Sequence, residues 1–365
     1  MSPIVDLLVP QMATGDATSN HTRLIQQLLE EKGFETRVVV ERKSRSDGSD
    51  LSVEKWKGDA RVSILQHSIG SEVAQFVIRK KTPIVLNYHN ITPASYFQSW
   101  QPELAKSAQR GRQQLGQLAR LTRRGIADSE FNAQELRDLG IDDVVVAPVL
   151  WQLGSGMPQA GLGDSTDIDG AGTVLNTTDI DGAGTVLFVG RLAPNKCQHD
   201  LIAAFAVLSR FRPQSRLVLV GDASPPQYLH SLKSLARRLD VHSRVVFAGK
   251  VSDKNLLQWY QLSDVLACTS EHEGFGVPLV EAMANGLPVV AYDAAAVAET
   301  VQDAGIVLSD KRPLTMALAL DRVLGDEQLR KSLRECGIKS AQRFDISVTR
   351  QQMWIALKDL VEVGD

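Results

Sequence analysis

The stretch Thr185-Val-Leu-Phe-Val-Gly190 has the form of a buried strand in a parallel sheet, a short run of β-branched and apolar residues that ends in glycine. The same form returns at Arg216-Leu-Val-Leu-Val-Gly221 and at Arg244-Val-Val-Phe-Ala-Gly249. Segments with helical spacing of apolar residues separate these runs, which predicts a parallel sheet covered by helices on both faces. Ligands bind at the carboxyl ends of the strands in such sheets, where a terminal glycine permits a sharp turn or a close backbone approach.

The earlier part of the chain shows the same alternation of strand and helix. Strands are predicted at Val5 to Val9, Thr36 to Val40, Val62 to Leu65, Ile84 to Asn87 and Val144 to Ala147, with a long helical stretch from Leu104 to Arg124. A chain of 365 residues is long enough for two domains. We therefore predict an α/β protein with a first domain over 1–152, a second over 185–345 and a helical segment over 346–365.

Residues 153–184 are rich in Gly, Ser, Thr and Asp, which is typical of an interdomain linker. They contain a duplication, since Thr166 to Leu175 recurs as Thr178 to Leu187. Each copy carries an Asp-Ile-Asp triplet that could hold a divalent cation between phosphates. An Asp-Gly step among small residues is more typical of a turn, so we predict no metal site.

The composition excludes several classes of protein. Lys plus Arg total 40 against 43 for Asp plus Glu, and a net charge of -3 does not favour nucleic acid as a partner. The three cysteines are far apart and form no zinc or disulfide pattern, which favours a reducing compartment. The first residues do not resemble a signal peptide, and no apolar run reaches about 18 residues, so we expect a cytoplasmic protein.

A second informative segment runs from Ser270 to Gly286, after a strand predicted at Val265 to Cys268. Pro278 is well placed near the start of a helix, so Gly274-Phe-Gly276 would lie at a positive helix terminus that suits an anion. Glu273 and Glu281 supply two spaced carboxylates, which accept hydrogen bonds from sugar hydroxyls. A capped helix with solvated acids is the alternative.

The loop after the first quoted strand, Gly190-Arg-Leu-Ala-Pro-Asn-Lys196, combines a guanidinium at Arg191 with an ammonium at Lys196. Together they could neutralise a diphosphate leaving group. A solvated cationic loop is equally consistent with the sequence. The phosphate-binding loop of ATPases is absent, and so is the dinucleotide fingerprint after the first strand.

In the first domain His89 and Asn90 follow a predicted strand, and His89 is the best of the seven histidines for contacting a reacting centre. A structural histidine is the alternative. Gly15 and Asp16 open the first helix and could approach a phosphate or acceptor, or simply cap the helix. The six basic residues between Lys106 and Arg124 could contact an anionic membrane, although the solvated face of a surface helix is the favoured interpretation.

These motifs resemble the nucleotide-sugar site of glycosyltransferase family 4, a group of retaining enzymes. The resemblance rests on Gly190-Arg191 with Lys196, followed by Ser270-x-x-Glu273-Gly-Phe-Gly276 and then Glu281 in a Glu-x7-Glu pattern. It covers about residues 185 to 300. It implies the GT-B fold, an α/β architecture of two Rossmann-like domains facing across a cleft, with the C-terminal helix crossing back to the first domain.

The resemblance also implies roles for individual residues. Arg191 and Lys196 would bind the donor diphosphate, Glu273 the hydroxyls of the transferred sugar and Glu281 the ribose. The backbone at Gly190, Gly274, Phe275 and Gly276 would lie along sugar and phosphate, His89 would lie near the transferred sugar, and Gly15-Asp16 would correspond to the family's first glycine loop. The implied activity is metal-independent, cofactor-free, retaining transfer of a hexose from a nucleotide sugar to a saccharide or lipid-linked acceptor.

Three other functions remain open from the sequence. The chain could be a synthase or phosphorylase of a small soluble glycoside, which differs only in the acceptor. It could bind a nucleotide sugar without turnover, although a scaffold has no need of groups that stabilise transition-state charge. A nicotinamide oxidoreductase is opposed by the missing fingerprint. The sequence leaves the donor nucleotide, the acceptor, the linkage and the oligomeric state undetermined.

Overall fold

The computed structural model describes residues 3–13, 16–41, 50–152 and 184–362. Gly15 and nearly all of the predicted linker, with both Asp-Ile-Asp triplets, lie outside these residues. The chain divides into two compact units, the first formed by residues 1–151 with 344–365 and the second by residues 152–343.

The first unit is built on a seven-stranded parallel sheet with the order β3-β2-β1-β4-β5-β6-β7. The strands are β1 (Ile4–Val9), β2 (Glu35–Val40), β3 (Leu51–Ser52), β4 (Val62–His67), β5 (Ile84–Tyr88), β6 (Thr122–Ala127) and β7 (Val144–Val146). The predicted strands are confirmed, whereas β3 and β6 were missed. Val5 and Leu7 pack into one apolar core and Leu8 into another, so both faces of β1 are buried and its apolar run is nearly continuous.

Five helices cover this sheet. They are α1 (Ala17–Glu31), α2 (Glu72–Lys80), α3 (Pro102–Leu118), α4 (Glu130–Asp138) and the C-terminal helix Ile346–Glu362. The C-terminal helix contributes Met353, Leu357 and Val361 to the core around β1 and β2. It therefore belongs to the first unit, although the whole second unit precedes it in the sequence.

The predicted helix from Leu104 to Arg124 was wrong at its end. Helix α3 stops at Leu118, a short 3₁₀ turn follows at Ala119–Leu121, and Thr122 begins strand β6. Pairing of β6 with β5 satisfies backbone groups that a longer helix would have satisfied internally. Long-range pairing of this kind leaves little trace in the local apolar spacing.

The second unit is built on a six-stranded parallel sheet with the order β10-β9-β8-β11-β12-β13. The strands are β8 (Thr185–Val189), β9 (Arg216–Val220), β10 (Val245–Gly249), β11 (Val265–Cys268), β12 (Val289–Tyr292) and β13 (Gly305–Leu308). The helices are α5 (Gln198–Phe211), α6 (Pro226–Arg238), α7 (Asp253–Leu262), α8 (Val277–Ala284), α9 (Val297–Val301), α10 (Pro313–Gly325) and α11 (Glu327–Ala341), and the C-terminal helix of the first unit is accordingly α12.

The glycines Gly190 and Gly221, which follow β8 and β9, permit the close backbone approach that the sequence predicted. Gly190 and Gly221 both have φ of 144°. A Cβ atom on Gly221 would lie 2.0 Å from the carbonyl oxygen of Gly190, so no other residue fits where the ends of β8 and β9 meet. The approach keeps the loop after β8 close to the sheet.

Candidate functional site

The candidate site of the second unit lies at the carboxyl ends of β8 and β11. These strands are neighbours in the sheet, whereas the next strand along the chain after β8 is on its other side. The order of strands therefore reverses between β8 and β11, and such a switch point leaves a crevice in which ligands bind. The loop 190–197 follows β8 and the loop 269–276 follows β11.

Hydrogen bonds hold these two loops together. The backbone N–H of Glu271 donates to the carbonyl of Asn195 at 3.0 Å. The hydroxyl of Thr269 donates to the carbonyl of Cys197 at 3.0 Å. Because each bond joins residues more than 70 positions apart, the predicted cationic loop and the predicted carboxylate loop are one structure.

The central contact of the site joins the two motifs directly. Nζ of Lys196 lies 2.6 Å from Oε1 of Glu273, and the two side chains are 21% and 13% exposed. An ion pair that retains some exposure can be opened by a ligand with a stronger claim on the cation, such as a diphosphate. Lys196 and Glu273 are thus positioned to share one ligand.

Helix α8 begins beside this pair. Gly276 caps it with a left-handed φ of 87°, and Pro278 lies in its first turn. The loop before it is held from behind, because Ala296 N–H donates to the carbonyl of Glu273 at 3.0 Å and the Thr300 hydroxyl donates to the carbonyl of Phe275 at 2.7 Å. The loop that leads into the positive end of α8 is therefore fixed. Gly274 to Gly276 directly precede this helix start, which is where the sequence predicted them.

A small cavity adjoins Glu273 at this point. Its lining combines the end of β8, the end of β11 and the first turn of α8, through Phe188, Val189, Leu266, Ala267, Cys268, Glu273, Gly276, Pro278 and Leu279. Most of these side chains are apolar. Glu273 is the one ionisable carboxylate of this lining.

Glu281 lies further along α8 and is buried, at 9% exposure. Its Oε2 accepts a hydrogen bond from the phenol of Tyr260 at 2.6 Å. Burial raises the pKa of Glu281 to about 7, although the bond from Tyr260 opposes the shift. Burial and the nearby carboxylate together hold the pKa of the Tyr260 phenol well above its usual value, so Tyr260 remains a donor. Sequence analysis missed Tyr260, which lies on α7 without any motif around it.

Arg191 differs from the other predicted residues in being exposed. Its backbone is anchored, since Nε2 of Gln198 donates to its carbonyl at 3.0 Å. The guanidinium makes no ion pair with a side chain in the described ranges of the second unit. Arg191 is thus available at the rim of the loop that carries Lys196.

Lys311 is a second residue that sequence analysis missed. Its Nζ lies 2.7 Å from Asp200 on α5 and 2.6 Å from Glu271 in the loop after β11, and it stands over the ring of Tyr292. This cation therefore fixes the loop two residues before Glu273. No local pattern marks it, because Lys311 is about 40 residues from Glu271 in the sequence.

In the first unit His89 lies at the carboxyl end of β5 and is 8% exposed. Its Nδ1 lies 2.9 Å from Oδ2 of Asp128 and its Nε2 lies 2.6 Å from the amide of Gln66. Asp16 serves as the N-cap of α1, where its carboxylate accepts the backbone N–H of Ser19 at 2.9 Å. Capping was one of the two roles that the sequence left open for Asp16.

Among the residues that the structure describes, two clusters bring potential metal ligands within 4.8 Å of one another, one of His21, His89 and Asp128 and one of Cys197, His199 and Asp200. The ring nitrogens of His21 and His89 already have hydrogen-bond partners. Burial raises the pKa of the Cys197 thiol to about 11, which opposes the thiolate that a metal requires. Neither donor set fits a metal well.

The basic residues between Lys106 and Arg124 are mostly neutralised inside the first unit. The ion pairs join Lys106 to Glu103, Arg110 to Glu72, Arg112 to Glu135, and Arg124 to Asp143 and Asp359. The surplus of positive charge seen in the sequence is therefore much smaller on the folded surface. Across the described ranges, no helix combines the length and the apolar character needed to cross a bilayer.

Comparison with known proteins agrees with the motifs. Residues 177–340 match the family described as Glycosyl transferases group 1, which confirms the predicted resemblance over that part of the chain. The D-inositol 3-phosphate glycosyltransferase of Jonesia denitrificans is 35% identical over 173 residues, covering 46% of this chain and 41% of that relative. The chain thus matches less than half of the length of that curated relative.

Solved structures match over nearly the whole chain. Anabaena Alr3699/HepE in complex with UDP and glucose has a TM-score of 0.71 and 21% identity, covering 97% of this chain and 99% of its own. Sucrose-phosphate synthase from Thermosynechococcus elongatus has a TM-score of 0.75 and 17% identity, covering 99% and 100%. The predicted fold class, α/β with two Rossmann-like units of the GT-B type, is confirmed.

Proposed function

We propose that this chain, whose residues 177–340 match Glycosyl transferases group 1, is a metal-independent, retaining enzyme that moves a hexose from a nucleotide sugar to a saccharide or lipid-linked acceptor. The observation that carries the proposal is the contact of 2.6 Å between Lys196 and Glu273 beside the start of α8. It brings a cation for phosphate, a carboxylate for hydroxyls and a positive helix end to one place. A nucleotide sugar presents both of those chemical groups.

In the proposed reaction the bond between sugar and diphosphate breaks while negative charge grows on the departing phosphate. Lys196 and Arg191 neutralise that charge, and the N-terminus of α8 adds a fixed positive potential. These groups act on charge that is larger in the transition state than in the substrate, which is the condition for catalysis. Glu273, released from Lys196 by the phosphate, accepts hydrogen bonds from the sugar hydroxyls.

Glu281 receives the ribose in this proposal, through the carboxylate oxygen that Tyr260 does not occupy. Retention of configuration follows if the acceptor attacks from the face that the phosphate leaves, with a phosphate oxygen taking the acceptor's proton. Neither step requires a metal. We assign Gly190, Gly274, Phe275 and Gly276 to backbone contacts with the donor, Gly15-Asp16 to the first glycine loop, and His89 to a positioning role at the sheet edge of the first unit.

The acceptor is left open within the proposal. The relative from Jonesia denitrificans is named for an inositol phosphate and the Thermosynechococcus structure for a sugar phosphate, which makes a small phosphorylated polyol a reasonable first choice. A soluble acceptor also fits the paired charges of the basic segment. We place the protein in the cytoplasm. For the basic segment from Lys106 to Arg124 we favour a solvated helix surface over a contact with a membrane.

A screen of UDP-, GDP- and ADP-sugars for calorimetric binding, and for hydrolysis without acceptor, tests the donor site. We expect one donor to bind and to be hydrolysed slowly. Lys196→Ala and Glu273→Ala should each reduce turnover about 100- to 1000-fold, by analogy with the loss of one hydrogen-bonding group that acts on the transition state. The exposed Lys331→Ala on α11 is the matched control and should retain full activity.

Each outcome of this screen decides something. Full activity of both site variants would overturn the site assignment, and an absence of any nucleotide-sugar binding would overturn the proposed function. Binding without turnover, with and without polyol phosphates as acceptors, would identify a non-catalytic binding protein instead. Dependence of turnover on added phosphate as a co-substrate would favour the phosphorylase.

A further inference from the structure

Five buried polar side chains at the carboxyl edge of the first unit's sheet form one continuous hydrogen-bond network, which starts from the backbone of Leu150. In order along the network they are His21, Asn87, Gln66, His89 and Asp128. The consecutive distances are 2.9, 2.8, 3.0, 2.6 and 2.9 Å. In a buried network each hydrogen bond needs one donor and one acceptor, so the role of one member determines the roles of the next.

The proton of the first member is fixed by the backbone. The N–H of Leu150 can only donate, and it lies 2.9 Å from Nδ1 of His21, so Nδ1 is an acceptor. His21 is fully buried, and this burial, with His89 nearby, holds its pKa well below the usual value. A neutral ring that accepts at Nδ1 carries its proton on Nε2. Nε2 of His21 is therefore a donor.

This donor determines the orientation of the next two side chains. With Nδ2 of Asn87 placed towards Nε2 of His21, two donors would face each other at 2.8 Å. A side-chain amide has almost the same shape after a turn of 180°, and its hydrogen bonds decide which end is oxygen. The oxygen of Asn87 must therefore face both His21 and Gln66. Gln66 then has to donate to it through its nitrogen.

The same end of Gln66 lies 2.6 Å from Nε2 of His89. Since that end is the nitrogen, Nε2 of His89 accepts, and the proton of a neutral ring is on Nδ1. Nδ1 lies 2.9 Å from Asp128, whose carboxylate can only accept. The side-chain amides of Asn87 and Gln66 each leave one buried atom without a partner, whichever way they are turned. The number of satisfied groups therefore does not distinguish the two orientations. The donor at Nε2 of His21 does.

We propose that His89 is held as a neutral ring with its proton on Nδ1, and that His21, Asn87, Gln66 and Asp128 are the positioning residues that hold it so. Both ring nitrogens are engaged within the first unit, so the ring has neither a proton nor a lone pair free for the substrate. Under the proposed function, on which this role rests, His89 orders the carboxyl ends of β4, β5 and β6 and is not a general acid or base.

Nuclear magnetic resonance of the full chain with ¹⁵N-labelled histidine tests the proton positions. Long-range ¹H–¹⁵N correlations distinguish a ring protonated on Nδ1, on Nε2 or on both. At pH 7.5 we expect the Nδ1 form for His89 and the Nε2 form for His21, each assigned by the signals lost in His89→Gln or His21→Gln. The Nε2 form or the doubly protonated form of His89 would overturn the proposal. If neither variant folds, the ring signals of the wild-type protein are assigned instead through the side-chain carbons of uniformly ¹³C,¹⁵N-labelled protein.

Gln66→Glu tests the direction of the network. A carboxylate cannot donate to Nε2 of His89, so we expect His89 to take a second proton and to show the doubly protonated signature at pH 7.5. Gln117→Glu on the exposed face of α3 adds the same charge to the same unit and should leave the spectrum unchanged. An unchanged His89 signal in a folded Gln66→Glu protein would contradict the proposal.

Activity separates this inference from the proposed function. Once a donor is identified, the His89→Gln variant should give a pH profile of kcat with the same shape as the wild type, at a lower maximum. Loss of one limb of the profile would show that His89 titrates in the reaction and would overturn the positioning role. Failure to find any donor would refute the proposed function and leave the spectroscopic result standing.

Discussion

At the scale of single residues, Glu281 shows how burial changes the chemistry of a carboxylate. The side chain is almost removed from water, and one hydrogen bond from Tyr260 does not compensate for the lost hydration. Because the pKa of Glu281 is raised, ionisation of this carboxyl group lowers the stability of the native state. The same residue type at position 273, with an ammonium beside it and some exposure, is paired as an anion.

The pH dependence of stability follows from the direction of this shift. The native state binds the Glu281 proton more tightly than the unfolded state, so its contribution falls as pH rises from about 4.5 to about 7 and is constant above that. In Glu281→Gln this loss is absent. We expect the free energy of unfolding of the variant, relative to the wild type, to be higher at pH 8 than at pH 5 by up to about 3 kcal/mol.

Urea unfolding of both proteins at pH 5 and pH 8 measures this difference. Glu335→Gln on the exposed face of α11 is a control of the same chemistry and should show no such change. A difference between pH 8 and pH 5 of zero, or of the opposite sign, would contradict the assigned burial effect.

Lys311 is a second single residue with a large local effect, because its ammonium pairs with two carboxylates and lies over an aromatic ring. Lys311→Met keeps the length of the side chain and removes the charge, which leaves Asp200 and Glu271 to repel each other. We expect a loss of about 1 to 2 kcal/mol in stability and weaker donor binding, because the loop that carries Glu273 is less fixed. Lys311→Arg should restore much of both, and equal damage in the two variants would show that charge is not the cause.

At the scale of elements, helix α8 depends on the geometry of its cap. Gly276 is left-handed, and a Cβ atom there would lie 2.7 Å from Cδ1 of Leu279, which is buried. The residue both turns the chain and lets α8 start close to the end of β11. Strain at this one position is therefore transmitted to the first turn of the helix, where the proposed donor phosphate binds.

Gly276→Ala should accordingly cost about 1 to 3 kcal/mol in stability and weaken donor binding more than any substitution on the exposed face of the helices. Gly116→Ala in α3 is the matched control, because Gly116 has open space around its Cβ position and lies within a helix. We expect that control to be neutral or stabilising. Equal donor affinity in Gly276→Ala and wild type, measured by calorimetry, would argue against the role of this cap.

At the scale of the whole molecule, the chain divides into two units, and the first unit is discontinuous in the sequence because it combines residues 1–151 with residues 344–365. Helix α12 completes the core of the first unit, where Leu357 is fully buried beside β1 and β2. Its charged residues follow the same arrangement, since Arg350 pairs with Glu31 and Asp359 pairs with Arg124. The stability of the first unit therefore depends on a helix that follows the whole second unit in the sequence.

Leu357→Ala should destabilise the first unit by about 2 to 5 kcal/mol, the usual effect of emptying a buried leucine site. Hydrogen exchange should increase in residues of the first unit and remain unchanged in β8 to β13. The control is Ile355→Ala on the same helix, which is 53% exposed and should have little effect. Faster exchange throughout the second unit would contradict the division of the chain into these two units.

Much of this organisation follows from the sequence. Doubly buried strands need continuous β-branched runs, so β8, β9, β10 and β11 were predictable. The glycines at the carboxyl ends of β8, β9 and β10 mark the edge where ligands bind. The loops that carry Arg191, Lys196 and Glu273 and the helix that carries Glu281 were predictable with them. Helix caps and turn residues act locally, and local signals can be read in order along the chain. The family resemblance rests on the same loops.

Only the tertiary structure determined which distant residues became partners. Tyr260, Lys311 and Asp128 acquire their roles from strands and helices that pack beside the predicted motifs, and no periodicity in the sequence records such contacts. The position at which α3 ends was also determined by tertiary structure, because pairing of β6 with β5 overrides the helical pattern of the sequence there. The protonation of Glu281 and the fixed proton of His89 are also tertiary properties, since burial and hydrogen-bond partners set them and neither exists before the chain has folded.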